Sequence, residues 1–429
     1  MRFFTSKELA GRKAGAPGAD MAADYAANKL KAAGLKPVGD NGTYFQDLTL
    51  PFIDLAEEPY LRLLDTDGSV KRAFTMRQDF SEIISGRANQ GHADGKLVFL
   101  GRGTDQDFQL AGDLTGDVAL IVVAPTTPRD LISRLAARGV QGLLEVTGNP
   151  ATLQVRYSYI PNNLIFDANS RAVLQISRDA ADALLQGSGR SLTSLQDDLN
   201  RNGAAFFATN NRVSMAVTLV PVHDAPTKNV IGVLPGTDPA LSSEYVIVGG
   251  HYDHVGADPD GLVFEGANDN ASGSADVVAL AEFFARNNIR TKRTLVFAAW
   301  TAEEAGLVGS RYYVEHPLFP LKQTKAYINL DVVGAGSGAG LTITNDSPAL
   351  ADVARTAAKD LGVAFGGGEI GGGSDHESFL QKGVPATFFI WQRYGDIHVP
   401  SDTFDKIDVN KLKATGQVAA LTLIRIANQ

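Results

Sequence analysis

The sequence predicts a three-layer α/β/α fold, with helices on both faces of a central sheet. From about residue 228, short apolar runs typical of strands alternate with longer stretches of helical periodicity. One of these runs, residues 294–300, is apolar from Leu295 to Trp300, as expected for a strand buried at the centre of a parallel sheet. Two adjacent carboxylates follow it after two residues, and ligands bind beyond the carboxyl ends of such strands.

The composition is typical of a soluble globular protein and argues against several classes of partner. The chain has 429 residues, which leaves room for two domains and a large core. Its 44% hydrophobic content is typical of a soluble globular protein, and no apolar run approaches the roughly 18 residues of a membrane-spanning helix. A net charge of -9 argues against nucleic acid and against anionic membrane surfaces as partners.

The amino terminus and the absence of cysteine limit the chemistry. Residues 1–6 lack the long apolar region of a signal peptide, so we expect either a cytosolic protein or a chain that has already been processed. Without cysteine there are no disulfides, thiolate ligands or thiol nucleophiles. Any bound metal must therefore be held by His, Asp and Glu.

The pattern divides the chain into three parts. Residues 1–50 contain a helix, with apolar side chains at helical spacing from Met21 to Leu30, and we assign them to the same domain as residues 213–429. Residues 51–212 form a β-rich inserted module, in which 118–146 has the pattern of a βαβ unit. The module has no cluster of His or carboxylates, so we assign it no chemistry.

The last part alternates strands and helices. Strands are predicted at 229–234, 245–248, 294–300, 326–330, 341–344 and 386–390, and helices at about 273–287, 348–361 and 408–427. The glycine-rich stretches 334–340 and 366–373 are predicted to be loops, and 366–373 does not follow a predicted strand as a phosphate-binding glycine motif would.

Histidines and acidic residues follow these strands or lie at the start of the helix after them. They are His251, Asp253, Asp269, Glu303, Glu304, Asp331 and His398. Imidazole and carboxylate are ligands of zinc, and a second metal about 3.5–4 Å from the first needs a carboxylate shared by both. Two histidines and three carboxylates are the minimum for that arrangement, so a carboxylate is left over that is free to act as a base. The sequence therefore predicts a two-zinc site.

These motifs resemble those of the di-zinc exopeptidases of metallopeptidase clan MH, family twenty-eight, which includes secreted bacterial aminopeptidases and glutamate carboxypeptidase II. The resemblance covers about 228–429, and the stretch 9–15 at the amino terminus. It implies a mixed, mostly parallel zinc-exopeptidase sheet, and a protease-associated domain in the inserted module. It also implies two zinc ions, a peptide substrate and export to the periplasm or outside the cell, although a cytoplasmic location stays open.

Carried onto this sequence, the resemblance implies a ligand set. His251 and Asp331 would bind one zinc, Glu304 and His398 the other, and Asp269 would bridge the two. Members of the family commonly have a cis peptide bond after the bridging aspartate, here between Asp269 and Asn270.

The resemblance also implies the remaining catalytic roles. Glu303 would be the general base that deprotonates a metal-bridging water and returns the proton to the leaving amine, and Asp253 would orient the ring of His251. His254, by contrast, is predicted to be structural, because His251 matches the ligand motif better.

The substrate pocket is less determined by the sequence. Several relatives have a tyrosine three residues before a Ser-Asp-His motif, but here Gly371 precedes Ser374 at that spacing. The group that would stabilise the oxyanion is left open between zinc alone, His376 and Tyr394. Arg393 could bind a substrate carboxylate.

The leading functional hypothesis is a zinc aminopeptidase. A carboxypeptidase or dipeptidase of the same family is the main alternative, and a glutaminyl cyclase is a further one. From a different class, the transferrin-receptor branch keeps this architecture as a non-catalytic binding ectodomain, but it does so with loss of metal ligands. The oligomeric state is left open.

Overall fold

The structure is a computed structural model that describes residues 1–366 and 373–429. The described chain forms two sheets, each with its own helices and its own apolar core. Most of the predicted glycine-rich loop at 366–373, including Gly371, lies outside the described residues.

The strands are numbered in chain order. They are β1 (Lys36–Pro37), β2 (Phe45–Phe52), β3 (Tyr60–Leu64), β4 (Val70–Ala73), β5 (Phe80–Glu82), β6 (Gly91–Phe99), β7 (Val118–Val122), β8 (Gly142–Val146), β9 (Ala172–Ile176), β10 (Phe207–Val217), β11 (His223–Leu234), β12 (Tyr245–His251), β13 (Thr294–Trp300), β14 (Thr324–Leu330), β15 (Leu341–Ile343), β16 (Phe365–Gly366) and β17 (Ala386–Ile390).

The α-helices are numbered in the same way. They are α1 (Pro17–Ala32), α2 (Asp105–Leu110), α3 (Leu131–Ala137), α4 (Arg178–Leu185), α5 (Leu192–Asn202), α6 (Ser272–Arg286), α7 (Val308–Glu315), α8 (Pro348–Asp360), α9 (His376–Gln381) and α10 (Val409–Asn428). Within residues 1–366 and 373–429, no helix combines the length and the apolar composition needed to cross a bilayer.

The first sheet has the order β1-β11-β13-β12-β14-β17-β15-β16, with β2 paired to β11. Its central strands β13, β12, β14 and β17 are parallel to one another, whereas the ladders between β11 and its neighbours β1, β2 and β13 are antiparallel, as is that between β15 and β17. The sheet is mixed, as expected, but it is parallel only at its centre and beside β16, so "mostly parallel" overstated it. All four central strands end at the same edge.

Helices cover both faces of this sheet, which confirms the three-layer expectation. Alternate residues of β13 face opposite layers, with Leu295 and Phe297 in one core and Val296 and Trp300 in the other. Helices α1, α6, α8 and α10 pack in the first core, and α7 and α9 in the second.

The second sheet lies in the chain between β2 and β11, and residues 60–217 are called the insert below. Its order is β4-β3-β10-β6-β7-β8-β9-β5, and β6, β7, β8 and β9 are parallel. Helix α3 packs on one face, and α4 and α5 pack on the other. The unit β7–α3–β8 is the βαβ unit predicted for residues 118–146.

The predicted domain boundaries at 51 and 212 fall inside strands. β2 continues in the first sheet to Phe52, and β10 continues in the second sheet to Val217. The predicted boundaries followed changes in residue composition. β2 and β10 continue past those changes because their partner strands still offer backbone hydrogen bonds. The change of sheet therefore occurs at 53–59 and 218–222.

Candidate metal centre

The predicted ligands converge at the carboxyl edge of the four parallel strands. His251 is the last residue of β12, Asp331 follows β14, and Glu303 and Glu304 follow β13 after two residues. His398 lies in the loop after β17. Two groups of donors form there, namely His251, Glu303 and Asp331, and His254, Asp269, Glu304 and His398.

The first group surrounds one nitrogen of His251, whose side chain is 1% exposed. Its Nε2 lies 3.3 Å from Asp331 Oδ1, 3.4 Å from Asp269 Oδ1 and 3.9 Å from Glu303 Oε2. The second group surrounds His398, whose Nε2 lies 2.9 Å from Glu304 Oε2 and 3.1 Å from Asp269 Oδ2.

Asp269 contacts both groups, one with each carboxylate oxygen. It lies in a distorted turn before α6, and its peptide bond to Asn270 is cis, as the resemblance implies. Asp402 holds this turn in place, because its carboxylate accepts the backbone N–H groups of Asn268 at 2.8 Å and of Asp269 at 3.0 Å.

His254 belongs to the second group, although we expected it to be structural. Its Nδ1 lies 2.9 Å from Glu304 Oε1, and its buried Nε2 has no hydrogen-bond partner among the described residues. The ring fits because Gly266 has no side chain: a Cβ there would lie 2.4 Å from the His254 ring. The spacing of His251 and His254 in the His-Tyr-Asp-His string was the only sequence signal for this placement.

Asp253 lies beside His251, but its carboxylate serves other partners. It accepts the backbone N–H groups of Glu303 at 3.1 Å and of Glu304 at 3.4 Å. The Nδ1 atom of His251 is 3.2 Å from the backbone carbonyl oxygen of Asp253 and 3.6 Å from the nearer carboxylate oxygen. Asp253 therefore contacts the His251 ring through its backbone, and its side chain holds the turn that carries the two glutamates.

A buried chain of hydrogen bonds ends on Asp331. Trp300 Nε1 donates to Tyr327 OH at 2.8 Å, Tyr327 OH to Asn329 Oδ1 at 2.6 Å, and Asn329 Nδ2 to Ser374 Oγ at 2.8 Å. Ser374 Oγ then donates to Asp331 Oδ2 at 2.7 Å. Since Oδ2 is occupied in this way, the other oxygen of Asp331 is left to face His251. The only sequence signal for Ser374 was its place in the Ser-Asp-His string.

The three residues predicted for the substrate pocket lie outside the two donor groups. His376 is buried, with its ring 4.9 Å from that of Phe388 and its Nε2 3.8 Å from Asp346. Tyr394 is half-buried in an apolar cluster after β17, and Arg393 beside it is exposed.

The surrounding acids raise the pKa values of His251 and His398. Burial alone would lower the pKa of His251, but the carboxylates of Asp331 and Glu303 outweigh it and raise this pKa well above the usual value. Burial alone would also lower the pKa of His398. The carboxylate of Glu304 outweighs this effect and raises the pKa of His398 well above the usual value.

The acids divide into two kinds. Burial raises the pKa of Glu303 well above its usual value, and that of Asp375 to about 7. For Asp269 and Glu304, burial is outweighed by the histidines, so that the pKa of Asp269 lies well below its usual value and that of Glu304 falls to about 2. The two ligand acids facing imidazoles are thus held ionised, whereas Glu303 binds a proton more readily.

The donor set fits divalent cations such as zinc. One carboxylate oxygen lacks a partner: Asp331 Oδ1 accepts no hydrogen bond from the described residues, yet it lies 3.3 Å from His251 Nε2. Two ligand atoms, each about 2.1 Å from a tetrahedral zinc, are about 3.4 Å apart. The separations around His251 Nε2 and His398 Nε2 are close to this value, and a cation would neutralise carboxylates whose burial is otherwise costly.

Replacing the serine behind Asp331 tests this arrangement. We expect Ser374→Ala to weaken binding of one zinc about 10- to 100-fold, because partners that orient a metal ligand have effects of this size. Zinc affinity is measured by competition with a chelator. Ser378→Ala is the matched control, since Ser378 is also buried but bonds to Ser310 at 2.9 Å. Equal affinities in the two variants would show that Asp331 needs no such support.

The raised histidine pKa values predict a pH dependence of metal binding. A histidine binds metal only when deprotonated, so a raised pKa extends competition by protons above the usual value of about 6.5. We expect zinc affinity to fall as the pH is lowered from 8 to 6, by about tenfold per pH unit for each proton displaced. The check is chelator competition at several pH values. Affinity that stays constant over this range would contradict the assignment of His251 and His398 as ligands.

The carboxyl-terminal part of the chain is similar to known peptidases. The family model "Peptidase family M28" matches residues 229–423. Aminopeptidase YwaD of Bacillus subtilis is 30% identical over 207 residues, which are 45% of this chain and 43% of that protein. A probable glutamate carboxypeptidase of Arthroderma benhamiae is 33% identical over 205 residues, which are 43% of this chain and 27% of that protein. The chain therefore matches less than half the length of either relative.

A solved structure extends the likeness to the insert. The zinc aminopeptidase BSAP from Bacillus subtilis superimposes with a TM-score of 0.68 and 20% sequence identity, over 99% of this chain and 92% of that one. At this identity the likeness establishes the fold. Residues 229–423, which carry both donor groups, thus match peptidase family M28, and the whole chain shares the fold of a zinc aminopeptidase.

Proposed function

We propose that this protein is a zinc-dependent exopeptidase, and specifically an aminopeptidase that hydrolyses the first peptide bond of a peptide. The observation that carries the proposal is the position of Asp269, with one carboxylate oxygen 3.4 Å from His251 and the other 3.1 Å from His398. A carboxylate shared in this way between two donor groups is what a site for two metal ions requires.

The residues of the chain supply the ligands and the base. His251 and Asp331 would hold one zinc, Glu304 and His398 the other, with Asp269 between them. When bound, the ions would acidify a water molecule and polarise the carbonyl group of the scissile bond.

Glu303 is the proposed general base. Its side chain is 13% exposed, more than those of Asp269, Asp331 and Glu304, so it is the acid best placed to meet a substrate. Burial raises its pKa, which favours its taking a proton from the attacking water. Glu303 then gives this proton to the leaving amine. Asp253 positions it through the backbone N–H bond at 3.1 Å.

The charge around the site favours a substrate with a free amine. The acids at the strand ends outnumber the cations there, and a substrate ammonium group would be attracted to them. Tyr394 is a candidate donor to the oxyanion, because burial raises its pKa, and the nearby charges of Asp331 and Asp269 raise it further. Its hydroxyl group therefore keeps its proton and can donate a hydrogen bond.

A carboxypeptidase or dipeptidase is the second candidate. The Arthroderma relative is named a probable glutamate carboxypeptidase, and the exposed Arg393 next to Tyr394 could bind a substrate carboxylate. A non-catalytic binding role is disfavoured, because every expected ligand is present and lies in one of the donor groups or between them. The same complete ligand set disfavours a glutaminyl cyclase.

Two further expectations remain part of the proposal. The insert is proposed to be a protease-associated domain, and the protein is proposed to be exported. The net charge of -9 and the zero cysteines are compatible with a secreted peptidase but do not require one. A leader sequence upstream in the complete gene would support export.

The role of Glu303 can be separated from metal binding. We expect Glu303→Gln to lose about 10²- to 10⁴-fold in turnover, the usual contribution of a general base, while still binding two zinc ions. Glu304→Gln is the matched control, and it should lose zinc. Metal content is measured by elemental analysis after dialysis. Turnover near that of the unchanged protein would exclude Glu303 as the base.

A digest of blocked and free peptides decides between the candidate activities. We expect cleavage of a peptide with a free amino terminus and an amidated carboxyl terminus, and no cleavage of the N-acetylated peptide with a free carboxyl terminus. Chelator should abolish the cleavage. The reverse preference would establish a carboxypeptidase, and intact peptides in every reaction with a zinc-loaded protein would favour a binding protein.

A further inference from the structure

The insert reaches the second donor group through one buried arginine, Arg156. Its side chain is 0% exposed. Its backbone N–H donates to the carbonyl oxygen of His398 at 2.8 Å, and its Nε donates to the carbonyl oxygen of Val255 at 2.9 Å. Val255 directly follows His254. A single residue of the insert therefore contacts the backbone of His398 and the backbone of the residue after His254, and these are the two histidines of the second donor group.

Arg156 is itself fixed by a buried ionic network. Its Nη1 bonds to Asp258 Oδ1 at 2.8 Å, and its Nη2 bonds to Asp54. Arg77, also in the insert, shares Asp258: its Nε bonds to Oδ2 at 2.8 Å and its Nη2 to Oδ1 at 2.9 Å. Arg77 also donates to the carbonyl oxygen of Val155 at 3.0 Å. Because each charge here is paired and hydrogen-bonded, the network is rigid.

His398 needs such support because its backbone is strained. Its φ is +57°, a left-handed conformation that a residue with a side chain rarely adopts and that persists only where the surroundings impose it. The hydrogen bond from Arg156 acts on the carbonyl group of this same residue. The ring of Tyr157 also lies edge-on to the ring of His398, with 6.2 Å between centroids.

We propose that Arg156 is a positioning residue for the second donor group, so that the insert is a structural part of the metal centre rather than only a neighbour of it. A loop shift of a few tenths of an ångström at His398 would move its Nε2 away from Glu304 and Asp269. Arg156 prevents this shift and also anchors the chain beside His254, whose Nδ1 contacts Glu304 at 2.9 Å.

The inference rests on the proposed zinc centre and has its own test. Zinc binding to the full chain is measured by chelator competition for the unchanged protein and for Arg156→Lys and Arg77→Lys. Lysine keeps the charge but cannot contact Val255, Asp258 and Asp54 together, because it lacks the planar fork of arginine. Arg77→Lys is the matched control: it disturbs the same buried aspartate but has no contact with the backbone at Val255 or His398.

We expect Arg156→Lys to weaken one of the two zinc sites about 10- to 100-fold and to leave the other unchanged. Arg77→Lys should leave both sites within about threefold of the unchanged protein, a spread within ordinary context effects. Equal losses in the two variants, or no loss in Arg156→Lys, would overturn the inference. If the unchanged protein bound no zinc, the proposed function itself would fail, and this is a separate outcome.

A second variant covers the case in which Arg156→Lys does not fold. Asp54→Asn removes one anchor of Arg156 near the surface, where the Asp54 side chain is 18% exposed. We expect a smaller loss of affinity at the same zinc site, together with a lower melting temperature of the metal-free protein, because Asp54 also pairs with the buried Lys13 at 2.9 Å. Unchanged zinc affinity in a variant that folds normally would count against the role of Arg156.

Discussion

The cost of burying like charges governs the structure around the site. Carboxylates and imidazoles are crowded at one edge of the sheet, most of them less than 10% exposed: His251, His254, Asp253, Asp269, Glu304, Asp331 and Asp375. Such a cluster is stable only if protons or cations neutralise it. The raised pKa values of the histidines and of Glu303 correspond to neutralisation by protons. The close approach of Asp331 Oδ1 to His251 Nε2 corresponds to neutralisation by a cation.

The sheet brings these groups together with little conformational freedom. Because β13, β12, β14 and β17 are parallel, their ends meet at one edge, and Trp300, His251 and Leu330 lie at adjacent strand ends. Residues just beyond them need only short turns to converge. Hydrogen bonds from side chains then fix the turns: Asp253 holds the two glutamates, Asp402 holds Asp269, and Ser374 holds Asp331.

The insert contributes to this site although its own sequence has no cluster of metal-binding residues. Its buried arginines pair with acids on the first sheet's side of the chain, Asp54 and Asp258, and together these groups close the boundary between the two sheets. A buried ionic network stabilises a boundary less than apolar packing of the same volume would, but it requires one register of the two surfaces. At this boundary, the alignment of the insert with the first sheet fixes the backbone conformation of His398.

The amino-acid sequence by itself determined the layered fold, the strands β13 and β17 to the residue, and the candidate ligands, because apolar periodicity and polar residues at strand ends are local signals. Only the tertiary structure showed that His254 joins the second group, that Ser374 supports Asp331, and that Arg156 reaches His398. These contacts join residues 43 to more than 200 positions apart, and they depend on how loops and the insert pack. A local pattern contains no information on such packing, so Ser374 and Arg156 carried no signal that could distinguish them from ordinary structural residues, and His254 carried only its spacing from His251.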